Sequence, residues 1–106
     1  MGYFYEPVPE YMTRGVAENV DRYLLLKCVE LLTCMKAQKI DPDYLQVYEL
    51  SYDEHEKLFS IRHSQEQPDY ENTVSFELPF GVKPYECKIY YIDDGDHRTF
   101  LLAEEY

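Results

Sequence analysis

Residues 86–103 read ECKIYYIDDGDHRTFLLA, in which Asp94 and Gly95 separate two apolar runs. An Asp-Gly pair between apolar runs is the strongest short-range signal of a β-hairpin, because its tight turn requires positive φ angles. We predict strands at 86–92 and 97–103, and both are apolar on two faces. Strands of that kind lie inside a sheet. The hairpin is therefore predicted to be central, with its second face covered by the N-terminal segment, a loop or a second subunit.

Four further strands are predicted before this hairpin. Alternation of apolar and polar residues indicates strands at 44–50, 57–63 and 73–78, and a short opening strand at 11–16. A polar connection at 65–72 separates two of them.

The segment 20–39 has the pattern of an amphipathic helix. Asn19 is predicted to be its N-cap, Asp21 lies in its first turn, and Pro42 follows its end. The apolar positions that define its buried face recur with 4-3-4 spacing: Leu24, Cys28, Leu31 and Met35.

The predicted fold class is therefore α+β. One amphipathic helix packs on an antiparallel, mostly sequential sheet of five or six strands. Residues 1–106 form a single domain by length. Residues 1–9, which are aromatic and hold two prolines, are interpreted as an extended arm.

The composition restricts the class of partner. The chain has 21 acidic and 10 basic residues and a formal net charge of −11, which disfavours nucleic acid and anionic membranes as partners. No apolar run is long enough for a membrane span, and the first residues do not resemble a signal peptide. Three cysteines without a Cys-x-x-Cys pair favour reduced, packing thiols. The predicted location is cytoplasmic.

The predicted hairpin turn contains the residues that most resemble a metal site. Asp93, Asp94, Asp96 and His97 are residue types that bind hard cations or transition metals. The spacing of the helix-loop-helix calcium motif is absent, so the sequence favours a solvated Asp-Gly turn instead.

His63, followed by Ser64 and Glu66, supplies the residue types of a hydrolase. Neighbours in a strand point to opposite faces, however, and no Gly-x-Ser-x-Gly motif or glycine-rich phosphate loop is present. The sequence indicates no cofactor and favours a non-enzymatic protein.

Tyrosine is unusually frequent, with twelve copies and no tryptophan. Half-buried packing between strands explains many of them, and a protein interface explains the remainder. The segment 41–56 contains six acidic residues and no Lys or Arg, which favours a partner with a basic surface. The residues predicted to contact a partner are Tyr3, Phe4, Tyr5, Tyr44, Tyr48, Tyr90, Asp53 and Glu54.

Several segments together resemble a small family of uncharacterised proteins of Gram-positive bacteria, called domain of unknown function 960. The resembling segments are 11–16, 43–47, 63–68 and the closing stretch 92–106, which is the most specific. The resemblance implies a bacterial, cytosolic protein. It implies no activity, cofactor or catalytic residue.

Three functional hypotheses follow. The first is a non-enzymatic protein-binding or regulatory module, with a homodimer as one form that it could take. The second is an acidic mimic of nucleic acid that inhibits a DNA-binding protein. The third is a hydrolase or metal enzyme that uses His63 and His97 with the carboxylates of the predicted turn.

Overall fold

The computed structural model describes residues 10–106 and confirms the α+β class, with a six-stranded sheet and one main helix. The predicted arm at 1–9, including Tyr3, Phe4 and Tyr5, lies outside the described residues. The elements are β1 Glu10–Met12, α1 Arg14–Asn19, α2 Arg22–Ala37, β2 Leu45–Asp53, β3 Leu58–Gln65, β4 Tyr70–Phe76, β5 Cys87–Asp93, β6 Arg98–Leu102 and a 3₁₀ turn at Ala103–Glu105.

The helical region is divided in two, so the prediction that Asn19 caps a single helix is wrong. Thr13 caps the short α1, and the extended backbone of Val20, with φ −103° and ψ 123°, ends it. Asp21 then caps α2, where its carboxylate accepts a hydrogen bond from the Tyr23 amide at 2.9 Å. Val20 is buried, so the break between the helices also contributes to the core.

The strand order β1-β6-β5-β2-β3-β4 makes the sheet mixed, and the prediction of a purely antiparallel sheet is wrong. Strands β2 to β6 pair in antiparallel fashion, but β1 runs parallel to β6. Two helices separate β1 from β2 along the chain, and β1 pairs with β6 instead of with β2. As predicted, β5 and β6 each have a neighbour on both sides.

Several predicted boundaries also change, and two of the changes have a clear physical cause. The strand expected at 11–16 is limited to Glu10–Met12, because the helix cap at Thr13 follows at once. The connection expected at 65–72 shrinks to four residues, since β3 continues to Gln65 and β4 begins at Tyr70. Gln65 is buried although it is polar. A pattern of buried apolar residues therefore does not identify it as the end of β3.

The core lies between α2 and one face of the sheet, which we call the inner face. Alternation along the strands directs one set of side chains toward the helix. The largest apolar side chains buried there are Leu24, Met35, Tyr48, Phe59, Ile61 and Ile89. Within residues 10–106, no helix is both long and apolar enough to span a bilayer.

Candidate functional site

The opposite, outer face of the sheet carries a strip of apolar side chains on its central strands. We call it the outer strip; it consists of Leu45, Val47, Tyr90, Ile92 and Leu101. The pairings Val47–Tyr90–Leu101 and Leu45–Ile92 place these residues in two adjacent rows. All five remain partly exposed, because the helices pack on the inner face. This arrangement agrees with the prediction that the hairpin is apolar on both faces.

The two tyrosines predicted to contact a partner on these strands differ in position. The ring of Tyr90 lies in the outer strip and meets the ring of Tyr106 edge-on, with centroids 5.3 Å apart. Tyr48 instead points inward and is 1% exposed, which removes it from any surface. Tyr44 directly precedes β2 and is 60% exposed. The predicted common face of these tyrosines is therefore wrong, because residues 48 and 90 have opposite orientations.

Beside the outer strip, the same face becomes charged. Arg62 forms ion pairs with Glu49 at 2.7 Å and with Glu71 at 2.9 Å, and so connects β2, β3 and β4. The hydrogen bond from Arg62 lowers the pKa of the Glu71 carboxyl group. All three side chains of this triad are exposed to solvent, and together they carry a net charge of −1. The outer strip therefore adjoins a charged region of the same face.

Two groups of acidic residues lie at opposite ends of the sheet. Asp53 ends β2 and Glu54 begins the β2–β3 turn, whereas Asp93 ends β5 and Asp94 and Asp96 lie in the β5–β6 turn at the other end. Nine residues of β2 separate the two ends, a span of about 27 Å at the rise of a strand. The carboxylates of these two turns are thus separated and do not join into one continuous row of the kind that a nucleic-acid mimic presents.

The aspartate carboxylates at these turns accept hydrogen bonds from the backbone amides of their own turns. At the β2–β3 turn, Asp53 accepts hydrogen bonds from the amides of His55 and Glu56, at 2.9 and 3.2 Å. Both bonds are to Oδ1 of Asp53, which therefore stabilises its own turn. Glu54 is exposed.

In the β5–β6 turn, which resembled a metal site, the carboxylates also accept hydrogen bonds from the backbone of their own turn. Asp94 accepts hydrogen bonds from the amides of Asp96 and His97 at 3.2 and 3.0 Å, and these bonds lower the pKa of its carboxyl group. Asp93 accepts from the amide of Gly95 at 2.9 Å and pairs with Arg98 at 3.0 Å. Gly95 has φ +96°, as the turn requires. No group of three potential metal ligands occurs among residues 10–106.

His63 lies in the core, where it is fully buried between two tyrosines. Its ring stacks on Tyr48 with centroids 4.6 Å apart and meets the edge of Tyr70 at 5.5 Å. Burial lowers the pKa of His63 to about 4, so the ring is neutral at physiological pH. Its Nε2 lies 2.7 Å from Oε1 of Gln46, whereas Nδ1 has no partner in the described part of the chain.

The bonding of Gln46 determines the tautomer of His63. The Gln46 amide nitrogen donates to the Asp43 carbonyl and to Oε1 of Gln65, at 2.9 and 2.7 Å. Its Oε1 must therefore accept, and Nε2 of His63 must carry the proton. The buried histidine consequently acts as a hydrogen-bond donor in the core.

Gln65 connects three chain segments. Its side-chain oxygen accepts from the amide of Asp43 at 2.8 Å, and its nitrogen donates to the carbonyls of Asp41 and Pro68 at 3.0 and 2.8 Å. The loop before β2 and the β3–β4 turn are thereby fixed to β3. The network has a structural role that the sequence pattern did not indicate.

These positions separate the residues of the predicted hydrolase site. His63 faces the core on β3, while His97 lies at the tip of the β5–β6 turn, near the ring of Tyr11 at 5.4 Å. Two strands lie between β3 and β6, which corresponds to about 14 Å at the usual strand spacing. Burial also raises the pKa of the Cys87 thiol to about 11. Within residues 10–106, Asp94 and His97 meet at 3.2 Å in the β5–β6 turn, but His63 lies apart from both.

The comparisons with known proteins agree with the predicted resemblance. The family model described as a staphylococcal protein of unknown function (DUF960) matches residues 10–105. A crystal structure of a protein of unknown function from Enterococcus faecalis is similar with a TM-score of 0.66 and 20% sequence identity. The similarity covers 93% of this chain and 91% of that one, and at this identity it shows the fold alone. No curated protein matches the sequence.

Proposed function

We propose that this chain, which belongs to the DUF960 family of proteins of unknown function, is a non-enzymatic module that binds a partner protein. The proposed binding surface is the outer strip, and the proposed partner presents an apolar patch between basic residues. The observation that carries the proposal is the partly exposed apolar strip on the central strands, which lies on the face opposite the one that α2 covers.

The physical argument for binding begins with the cost of exposing apolar surface. A sheet with one solvated face normally alternates apolar and polar side chains. Here Val47, Tyr90 and Leu101 are adjacent on the outer face, and Leu45 and Ile92 continue the patch. A contiguous apolar patch with polar surroundings is typical of a protein interface, and tyrosine is enriched in such interfaces.

Electrostatics favours a basic partner. The net charge of −11 attracts cationic surfaces over a distance of about one Debye length. The acidic turns at the two ends of the sheet flank the outer strip, so a partner with Lys or Arg on both sides of an apolar centre would fit. Basic residues at the rim would raise the association rate more than the affinity.

Site-specific photocrosslinking in the native host tests this proposal. Benzoylphenylalanine replaces Tyr90 in one variant and the fully exposed Phe80, which lies in a loop, in a matched control. We expect position 90 to yield one discrete product with a protein that has a basic surface. The yield should fall when Leu101→Lys is added or when salt is raised.

Two outcomes contradict the proposal. If position 90 gives only the products that position 80 gives, the outer strip is not a binding surface. If the product at position 90 is the chain itself, the surface is a homodimer interface and the basic partner is wrong.

A further inference from the structure

A second apolar surface lies at the other side of the molecule, where β1 meets the two helices. A groove of about 390 Å³ is formed by the strand, by both helices and by one residue of β6. Three of its side chains are among the most exposed large apolar residues described: Tyr11 at 56%, Met12 at 50% and Leu26 at 51%. We call it the β1 groove; it is lined by Tyr11, Met12, Ala17, Val20, Arg22, Leu25, Leu26, Val29 and Phe100.

The β1 groove adjoins a free strand edge. β1 pairs with β6 on one side, and no strand among residues 10–106 pairs with its other side. The Thr13 amide donates to the Phe100 carbonyl at 3.0 Å. Because the backbone groups of successive residues alternate in direction, the amide and carbonyl of Met12 point to the free edge. No strand among the described residues pairs with those groups, so an additional strand can bond them.

The groove contains one charged residue. The side chain of Arg22 is exposed and makes no hydrogen bond or ion pair with any residue that the structure describes. The nearby Arg14, in contrast, is paired with Glu18 at 2.9 Å. A free guanidinium at the margin of an apolar groove complements a carboxylate.

We propose that the β1 groove binds an extended segment of a partner protein. The segment adds a strand at the free edge of β1, places alternate apolar side chains in the groove, and directs one carboxylate to Arg22. Strand addition of this kind derives affinity from main-chain hydrogen bonds and specificity from the pockets for alternate side chains. A single carboxylate fits best, because the net charge of −11 repels a highly acidic segment.

Selection from a library of random twelve-residue peptides displayed on phage tests the proposal. The full chain is the target, and Leu26→Asp is used for counter-selection. A fluorescein-labelled synthetic copy of the most enriched peptide then serves as the probe in polarisation titrations. We expect enriched sequences to alternate apolar residues and to contain one Asp or Glu.

Variants of the protein show whether the probe occupies the β1 groove. We expect Kd to rise more than about tenfold in Leu26→Asp and about tenfold in Arg22→Gln. Phe80→Asp and Arg14→Gln are the matched controls and should change Kd by less than about twofold. Met12→Lys provides a second groove variant if Leu26→Asp proves poorly folded.

Hydrogen exchange distinguishes strand addition from other modes of docking. We expect the saturating probe to slow exchange of the Met12 amide by at least about tenfold, whereas the already bonded Thr13 amide should change little. Failure to enrich any peptide that discriminates against Leu26→Asp overturns the proposal. So does equal binding to Arg22→Gln, or an unprotected Met12 amide in the complex.

This inference does not depend on the outer strip. Leu101→Lys should leave the affinity of the probe unchanged, because Leu101 lies on the opposite face of the sheet. The two binding proposals can therefore fail separately.

Discussion

The buried histidine makes the stability of the protein depend on pH in a specific range. His63 has a pKa of about 4 in the folded chain, against an ordinary value near 6.5. The unfolded chain therefore binds a proton at a higher pH than the folded chain does. The stabilisation is fully present above pH 6.5 and is lost as the pH falls toward 4.

The size of this effect follows from the two pKa values. Between pH 7.5 and 4.5, preferential protonation of the unfolded chain lowers the free energy of unfolding by about 2 to 3 kcal/mol. That is a large part of the stability of a domain of this size, which is typically 5–15 kcal/mol. The physical cause is desolvation of the ring between Tyr48 and Tyr70.

Urea unfolding followed by circular dichroism at several pH values measures this effect. His63→Phe retains an aromatic ring but cannot titrate. The decrease in the free energy of unfolding from pH 7.5 to pH 4.5 should therefore be about 2 to 3 kcal/mol smaller in this variant than in the wild type. At pH 7.5 the substitution itself should cost about 1 to 3 kcal/mol, because the side-chain oxygen of Gln46 loses its donor.

The carboxylates titrate in both proteins, so they cancel in this comparison. His55→Phe is the matched control, since it removes an exposed histidine and leaves the buried ring of His63 in place, so the loss of stability toward pH 4.5 should persist. Parallel pH profiles for the wild type and His63→Phe would refute the reasoning. An NMR titration of the His63 ring with a midpoint above pH 6 would do the same.

Three further predictions concern packing and the thiols. Gly15→Ala should destabilise the fold by about 1 kcal/mol despite the helix propensity of alanine, because its Cβ would lie 2.5 Å from Oε2 of Glu105; thermal unfolding measures this. Gln65→Ala should lower the free energy of urea unfolding by about 2 to 4 kcal/mol, since several buried partners lose their bonds, whereas the exposed neighbour Glu66→Ala should change it by less than about 0.5 kcal/mol. Cys34 is the exposed cysteine of the three, so Ellman's reagent should react rapidly with one thiol per native chain and with three in urea; three rapid thiols in the native state would contradict the described burial.

The elements predicted from local signals agree with the structure. The pair Asp94-Gly95 favours a turn through the positive φ of Gly95 and the local hydrogen bonds of the Asp94 carboxylate, and the structure has the hairpin there. The apolar positions Leu24, Cys28 and Met35 are buried in α2 as the spacing indicates. Both signals depend on residues close in sequence, which is why they could be read without the tertiary structure.

The parts that were missed depend on distant residues. Gln65 is buried because its amide is satisfied by groups of the 41–43 loop and the following turn, and no local pattern specifies those partners. His63 resembled a catalytic residue because the sequence does not show that it is buried between Tyr48 and Tyr70. The parallel pairing of β1 with β6 joins strands from opposite ends of the described chain, and its three residues carry too weak a signal to assign a partner.

The same absence of local signals conceals the β1 groove. Leu26 belongs to a Leu-rich helix whose predicted apolar face does not include it, and Tyr11 and Met12 belong to a short segment predicted as a strand. Only their convergence around Arg22 gives the groove its chemistry. Exposed apolar side chains can be read as a binding surface only when their neighbours are known.

The pairing of β1 with β6 also has a consequence for protein synthesis. Met12 meets Phe100, and the carboxylate of Glu105 bonds Thr13, so the first described strand has no partner until the last one has left the ribosome. At usual elongation rates, the 88 residues from Met12 to Phe100 take about 4 to 18 s to make. During that time β1 remains an apolar segment without a sheet. A nascent chain that stalls before β6 would expose this segment to chaperones and proteases.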